Sequence, residues 1–179
     1  MSSNPDQLKE EGLQQFRRGV YDEALRLFET AVSLYAAAEN HVGQAEMLNN
    51  IGVIQRTRRN PDAAITALQQ AAAIFAQIGD AERQGMALGN LGDLYAARKD
   101  RTAAARSYSN ASALLTKANA RDKQSQVLRA LSLLHLRQGQ WLQALIHMEE
   151  SLTVRPRLGP GSWLFRVMLR FVLRLLHGN

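Results

Sequence analysis

Apolar and small residues recur along the chain at a spacing of forty positions. The clearest copy of this pattern runs from Leu88 to Ala111, and corresponding positions follow when forty is added or subtracted. Its most regular feature is a set of three glycines, Gly12, Gly52 and Gly92, that lie forty residues apart. Within each copy the apolar residues fall three or four positions apart, which is the spacing of one face of an α-helix. The sequence therefore predicts a repeated helical unit.

Each copy predicts two helices that pack closely on each other. A glycine in the first helix lets the second helix approach, because no side chain then separates the two backbones, and an alanine twelve positions later does the same on the second helix. The residues assigned to this packing are Gly12, Ala24, Gly52, Ala64, Gly92, Ala104, Ser132 and Ala144. A single helix pair cannot bury its apolar face alone, so we predict that the pairs stack into a solenoid.

The repeated unit resembles the tetratricopeptide repeat (TPR), whose helix pair carries a W-x2-L-G-x2-Y, A-x3-F and P pattern. The third copy supplies Leu88, Leu91, Gly92, Tyr95, Ala104 and Tyr108 at these positions. Glu11 precedes the glycine of the first copy, Ser132 replaces the glycine of the fourth, and no copy ends in the family's proline. The spacing of forty is similar to that of long-repeat members such as kinesin light chain and Pins-type scaffolds.

The predicted fold is an all-α helical solenoid of four helix-turn-helix repeats followed by a C-terminal amphipathic helix, and the resemblance implies a right-handed superhelix. The solenoid is expected over residues 1–154, with repeats at about 5–38, 41–78, 81–118 and 121–154. Residues 155–161, rich in proline and glycine, are predicted to form a linker, since these residues do not continue a helix. Residues 162–179 are predicted to form the cationic amphipathic helix.

Composition argues against catalysis and against metal binding. The chain has no cysteine, which excludes disulfides and thiolate metal sites and fits a bacterial cytosolic protein. Its four histidines lack metal-ligand spacing, and no serine has a visible histidine and acid partner. The polar, acidic N-terminus lacks the features of a secretory signal. We therefore expect a cytoplasmic protein that is no enzyme, with no cofactor, no metal and no small-molecule substrate.

The net charge of +6 is concentrated near the C-terminus. Residues up to Val154 contain 17 Lys and Arg against 16 Asp and Glu, whereas the residues from Arg155 onward contain five Arg and no acid. Basic residues within the repeats cluster at predicted turns: Arg56, Arg58, Arg59, Arg98, Lys99 and Arg101. We interpret them as solvated helix ends rather than a nucleic-acid site, because no aromatic residues are interleaved with them. Nucleic-acid binding would require these turns to face one side.

The resemblance implies that the first helix of each pair lines a concave groove that binds a peptide or a helix. The residues carried over to this groove are Asn49, Asn50, Val53, Arg56, Met86, Asn90, Asp93, Arg129, Leu133 and Arg137. The amides of Asn50 and Asn90 offer both a donor and an acceptor to a peptide backbone; alternatively, they satisfy a contact between helices or face water. A chaperone-tail receptor is not expected, because Leu13, Met86 and Asn90 replace polar or basic residues of the family's carboxylate clamp.

The C-terminal helix is the second candidate site. About fifteen helical residues span roughly 22 Å, which is short of the ~30 Å hydrocarbon core. The residues assigned to a membrane or partner contact are Trp163, Phe165, Arg166, Arg170, Phe171 and Arg174. Three interpretations stay open: docking on a membrane surface or membrane-protein complex, capping of the solenoid, and contact with a second copy in a homo-oligomer.

From these patterns we expect a non-catalytic scaffold or adaptor that binds a protein partner in its groove. Membrane docking of the last helix would hold such an adaptor at the inner face of the membrane. The alternative is a soluble adaptor whose last helix caps the solenoid or mediates self-association.

Overall fold

A computed structural model describes residues 4–155 and 159–177, with side chains up to Arg174. Within these residues the chain forms nine α-helices and no strand. The helices are α1 (Pro5–Arg17), α2 (Tyr21–Ala37), α3 (His41–Thr57), α4 (Pro61–Gln77), α5 (Ala81–Ala97), α6 (Arg101–Lys117), α7 (Arg121–Arg137), α8 (Trp141–Thr153) and α9 (Pro160–His177). The predicted all-α solenoid of four helix pairs with a further C-terminal helix is confirmed.

Each turn among the first eight helices contains one residue in the left-handed region. Glycine occupies it at Gly19, Gly79 and Gly139, whereas Glu39, Arg59, Lys99 and Asn119 adopt the same positive φ without being glycine. Such a residue ends a helix because its amide can turn back to the last free carbonyls. The next residue often starts the following helix: the Asp80 carboxylate, for example, accepts the Arg83 amide at 2.9 Å.

The two helices of each pair meet at the small residue of the first helix. A Cβ atom added to Gly12, Gly52 or Gly92 would lie 2.5 Å from a carbon atom of Phe28, Leu68 or Tyr108, respectively. Ser132 stands at this position in the fourth pair, and its hydroxyl donates a hydrogen bond of 2.6 Å to the Ala144 carbonyl. In this pair the serine hydroxyl therefore binds the backbone of the second helix. In the other three pairs a glycine leaves room for a bulky side chain of the second helix.

Successive pairs share apolar residues, so the core runs through all four repeats. Met47 and Ile54 of α3 pack with Phe28 of α2 in the preceding pair. Leu131 of α7 packs in the same way with Tyr108 of α6. Each of the first helices α3, α5 and α7 therefore packs between its own partner and the second helix of the preceding pair, which is the stacking that a solenoid requires.

The last helix begins earlier than its predicted boundary. The sequence predicts a linker at 155–161 and a helix from 162, but Pro160 and Gly161 belong to α9. Proline is compatible with the first turn of a helix, because the amide that it lacks has no intrahelical acceptor there. Residues 156–158 of the predicted linker and residues 178–179 of the predicted helix lie outside the described residues.

α9 packs against α8 with a narrow stripe of its surface. Leu169 is buried, while Ser162, Arg166 and Leu173 are half-buried. These residues recur at spacings of four, three and four positions, which is one face of a helix. Arg170, at the edge of the stripe, donates to the Glu149 carboxylate at 2.5 Å. The opposite surface of α9 is apolar and exposed.

We expect Gly92→Ala to lower the free energy of unfolding by about 1–3 kcal/mol, because the new methyl group overlaps the Tyr108 ring. Gly89→Ala is the matched control in the same helix, since its Cβ would meet Val127 at an ordinary 3.4 Å. Alanine is favoured over glycine in a helix by up to about 1 kcal/mol, so the control should be neutral or stabilising. Urea unfolding measures both; equal effects of the two variants would contradict the close-approach assignment.

Candidate binding groove

Two adjacent cavities lie beside the first helices α3, α5 and α7, and we call the surface that contains them the groove. Each has a volume of about 320 Å³, and Met86 and Lys123 line both of them. Asn49, Asn50 and Phe75 contribute to the first cavity. The second is more apolar, and its walls include Tyr108, Leu115, Asn90, Gln126, Val127 and Ala130. Met86, which borders both cavities, has an exposed and flexible thioether side chain.

Ion pairs link the first helices across the groove. Lys9 of α1 contacts Glu46 of α3 at 2.6 Å, and Glu46 in turn contacts Arg83 of α5 at 3.1 Å. Glu82 of α5 pairs with Lys123 of α7. Each of these cations has an acidic partner in a neighbouring repeat, so this part of the groove has little free charge. Such partly exposed pairs contribute little stability individually, but they fix side chains in place.

Two asparagines of the groove bind each other, and a third has no such partner. The Asn90 amide donates to the Asn49 side-chain oxygen at 3.2 Å. For this pair the structure therefore shows a contact between helices. No hydrogen bond reaches the Asn50 side chain from the described residues, although Asn50 is half-buried and lines the first cavity. Its donor and its acceptor both stay available to a ligand.

Asp93 organises the other end of the groove. Its carboxylate accepts the Tyr108 hydroxyl at 2.7 Å and the Arg56 guanidinium at 2.8 Å. Burial and the adjacent Asp93 carboxylate raise the pKa of Tyr108 above its ordinary value, while the positive charges of Arg56 and Arg137 oppose this shift. Arg56 is therefore held in an ion pair, whereas Arg137 is exposed and forms no ion pair with the described residues.

The remaining groove residues predicted from sequence lie apart from the two cavities. Val53 is half-buried, while Arg129 and Leu133 are exposed on α7. The prediction missed Glu46, Glu82, Arg83 and Lys123, which line the first cavity. The spacing of opposite charges could have indicated these four residues. Each ion pair joins residues 37 or 41 positions apart, which is close to the repeat length of forty, so the two side chains lie at nearly the same level of neighbouring first helices.

The basic turns surround the ends of the first helices α3 and α5. Two of the arginines bind acids of the preceding repeat. Arg58 contacts Asp22 at 2.7 Å, and Arg98 contacts Asp62 at 2.5 Å. These contacts favour a structural role for this pair of side chains at the junctions between repeats.

The predicted contact residues of the last helix fall on two different sides of α9. Trp163, Phe165 and Phe171 are 53%, 48% and 63% exposed. Arg166 is half-buried against α8, and Arg170 is bound to Glu149. Arg174 is exposed. None of the helices that the structure describes combines the length and hydropathy that a membrane crossing requires.

The stacked helix pairs form a helical-repeat solenoid of the kind that serves as a protein-interaction scaffold. The family model of the tetratricopeptide repeat matches residues 11–77 and 83–157. The chain therefore belongs to the tetratricopeptide repeat family, and this family is typically non-catalytic. Among curated proteins, no sequence is similar enough to count as a match.

Several solved structures share the fold. BtubC (BKLC) from P. vanneervenii has 19% sequence identity and a TM-score of 0.76, over 88% of this chain and 70% of that chain. Pseudomonas aeruginosa pilF has 22% identity and a TM-score of 0.70, over 95% and 69% of the two chains. The nearly identical TPR-like repeats of kinesin light chain type from Podosopora anserina have 17% identity and a TM-score of 0.73, over 99% and 90%. At these identities the likeness establishes the fold alone.

We expect Tyr108→Phe to lower the free energy of unfolding by about 1 kcal/mol near neutral pH, because it removes the hydrogen bond to Asp93. The raised pKa of Tyr108 favours the protonated phenol in the folded state. Tyrosine ionises from about pH 10 in the unfolded chain, so the stabilisation is complete below that pH and is lost as the pH rises towards the folded-state pKa.

Urea unfolding at neutral and alkaline pH measures this difference. The wild type should lose more stability than Tyr108→Phe between the two conditions. Tyr35, which donates to Asp6 at 2.5 Å and whose pKa is likewise raised by burial and this acid, stays in both proteins as an internal reference. Parallel pH profiles of the two proteins would contradict the assignment.

Proposed function

We propose that the protein is a non-catalytic adaptor whose groove binds a peptide or a helix of a protein partner. The observation that carries the proposal is the pair of adjacent cavities beside the unpartnered Asn50 amide. Side chains of a ligand would enter the cavities on either side of Met86, and Asn50 would bind its backbone. The Asn49–Asn90 pair keeps one free donor group and one free acceptor group for the same purpose.

The ion pairs of the groove suggest what kind of ligand fits. Glu46, Glu82 and Asp93 already have basic partners in neighbouring repeats. A ligand that depended on these charges would have to break existing pairs. We therefore propose that the section between α3 and α5 selects neutral or apolar side chains, and that the exposed Arg137 favours an acidic residue at the α7 side.

We further propose that α9 attaches the adaptor to a membrane surface or a membrane-protein complex. The supporting observation is its exposed apolar surface, which includes Trp163, Phe165 and Phe171. A cluster of large exposed apolar residues commonly marks an interaction site. The alternative, a soluble adaptor in which α9 only caps the solenoid, is supported by the contact of Leu169 and Arg170 with α8 but leaves the apolar surface without a role.

The groove is tested with the double substitution Asn50→Ala and Asn90→Ala. Peptides selected on the wild-type protein from a displayed random library should bind this variant about tenfold or more weakly, which corresponds to about 1.4 kcal/mol. Asn110→Ala is the matched control, because it removes the same amide from an exposed position on α6. Peptides that bind all three proteins equally would rule out the groove asparagines as the binding residues.

A further inference from the structure

The repeat length of forty relates each residue of α9 to a residue of the preceding first helices. α3, α5 and α7 begin at His41, Ala81 and Arg121, and forty residues later Gly161 lies in the first turn of α9. By register α9 is therefore the first helix of a fifth repeat. Its residues can be compared position by position with those of α7.

The comparison shows that α9 packs with the reverse of the expected side. The buried and half-buried residues of α9 are Ser162, Arg166, Leu169 and Leu173. The residues forty positions earlier on α7 are all exposed: Asp122, Gln126, Arg129 and Leu133. The opposite holds for the core side of α7, where the buried residues include Ser125, Leu128, Leu131 and Ser132. The residues forty positions later on α9 are all exposed: Phe165, Met168, Phe171 and Val172. α9 thus turns the core side of a first helix outward.

The outward side of α9 lacks the small residues that helix packing in this solenoid requires. The preceding first helices have Gly12, Gly52, Gly92 and Ser132 at the position of closest approach, and α9 has Val172 there. The six other exposed apolar residues of α9, among the side chains that the structure describes, are also large: Trp163, Leu164, Phe165, Val167, Met168 and Phe171. A second helix could not approach this surface as closely as in the other repeats. Fluid lipid chains need no such complementary shape.

Charge distinguishes a lipid surface from a second copy of the chain. Residues 155–179 contain five arginines and no acid. Arg174 is exposed at one edge of the outward side, and Trp163 lies at the same edge. An interfacial helix typically combines a wide apolar face with arginine and tryptophan at the headgroup level, and anionic lipids attract its charges. Two α9 helices packed on each other through this side would leave the Arg174 of each copy without an acid of α9 to pair it.

We infer that the outward side of α9 binds the interface of an anionic phospholipid bilayer while the stripe with Leu169 stays packed on α8. This inference rests on the proposed attachment role of α9 and names its partner. Since the apolar side already faces outward, binding requires no detachment of the helix from the solenoid. The contact between α9 and α8, including the Arg170–Glu149 ion pair, then fixes how the groove is oriented relative to the membrane.

Vesicle flotation of the full chain tests the inference. The probes are vesicles of phosphatidylcholine alone and of an equal mixture with phosphatidylglycerol, at about 0.1 M and about 1 M salt, where the Debye length falls from about 10 Å to about 3 Å. The wild type should float with the anionic vesicles, and less at high salt. Met168→Glu with Phe171→Glu should reduce partitioning about tenfold or more. Val42→Glu with Ile78→Glu is the matched control, since both positions are exposed and apolar but far from α9 in sequence.

A second measurement avoids any loss of folding in the charged variant. In a Trp141→Phe background Trp163 is the one remaining tryptophan, because the chain contains two. Its emission should shift to shorter wavelength when anionic vesicles are added. No shift and no flotation would overturn the inference. A dimer that Met168→Glu with Phe171→Glu converts to a monomer, without flotation of the wild type, would assign the surface to a second copy instead.

Failure of this inference can be told apart from failure of the groove. Asn50→Ala with Asn90→Ala should float as the wild type does, because neither residue is near α9. Met168→Glu with Phe171→Glu should bind the selected peptides with unchanged affinity. Loss of both activities in one variant would show misfolding, which circular dichroism and the melting temperature of each variant detect.

Discussion

The close approach of two helix backbones at one small residue is the contact on which the solenoid depends. In three pairs the absence of a side chain at Gly12, Gly52 or Gly92 makes room for a bulky residue of the second helix. In the fourth pair the Ser132 hydroxyl donates a hydrogen bond to the Ala144 carbonyl at the same position of the repeat. Because the spacing between the helices of a pair sets where the next pair can stack, this contact also sets the distance between the first helices that form the groove.

The groove has a chemical character that the repeat pattern alone does not set. Its shape comes from the repeat, but its chemistry comes from positions that differ between repeats. Glu46 binds basic residues on both sides, whereas the corresponding Met86 binds none and stands exposed between two cavities. The charged residues are largely paired between repeats, so the proposed ligand would meet mainly amides, apolar walls and Arg137. Its selectivity would then arise more from shape and backbone hydrogen bonding than from charge.

The last helix packs with a different side from that of the other first helices, and the size of its side chains explains why. In α7 small and medium-sized residues face the core, whereas in α9 the same positions hold Phe165, Phe171 and Val172. Bulky residues at these positions would separate the helices that they face. The side with Arg166 and Leu169 packs on α8 instead, and Arg170 finds the Glu149 carboxylate. The end of the solenoid is thereby closed by a helix that presents a new apolar surface.

The sequence alone determined the number of helices, their approximate bounds and the contact within each pair, because a period of forty and a helical face of apolar residues are local signals. Of the ten groove residues expected from the family pattern, five line the two cavities, namely Asn49, Asn50, Met86, Asn90 and Asp93, and their binding of a ligand stays a prediction. Only the tertiary structure decided that Asn49 and Asn90 bind each other while Asn50 stays unpartnered, and that α9 packs with the side of Arg166 and Leu169 inward. These outcomes depend on distances between side chains forty residues apart, or on which side of one amphipathic helix meets its neighbour. Helical periodicity identifies the sides of a helix, but the space left by the surrounding helices decides which side is buried.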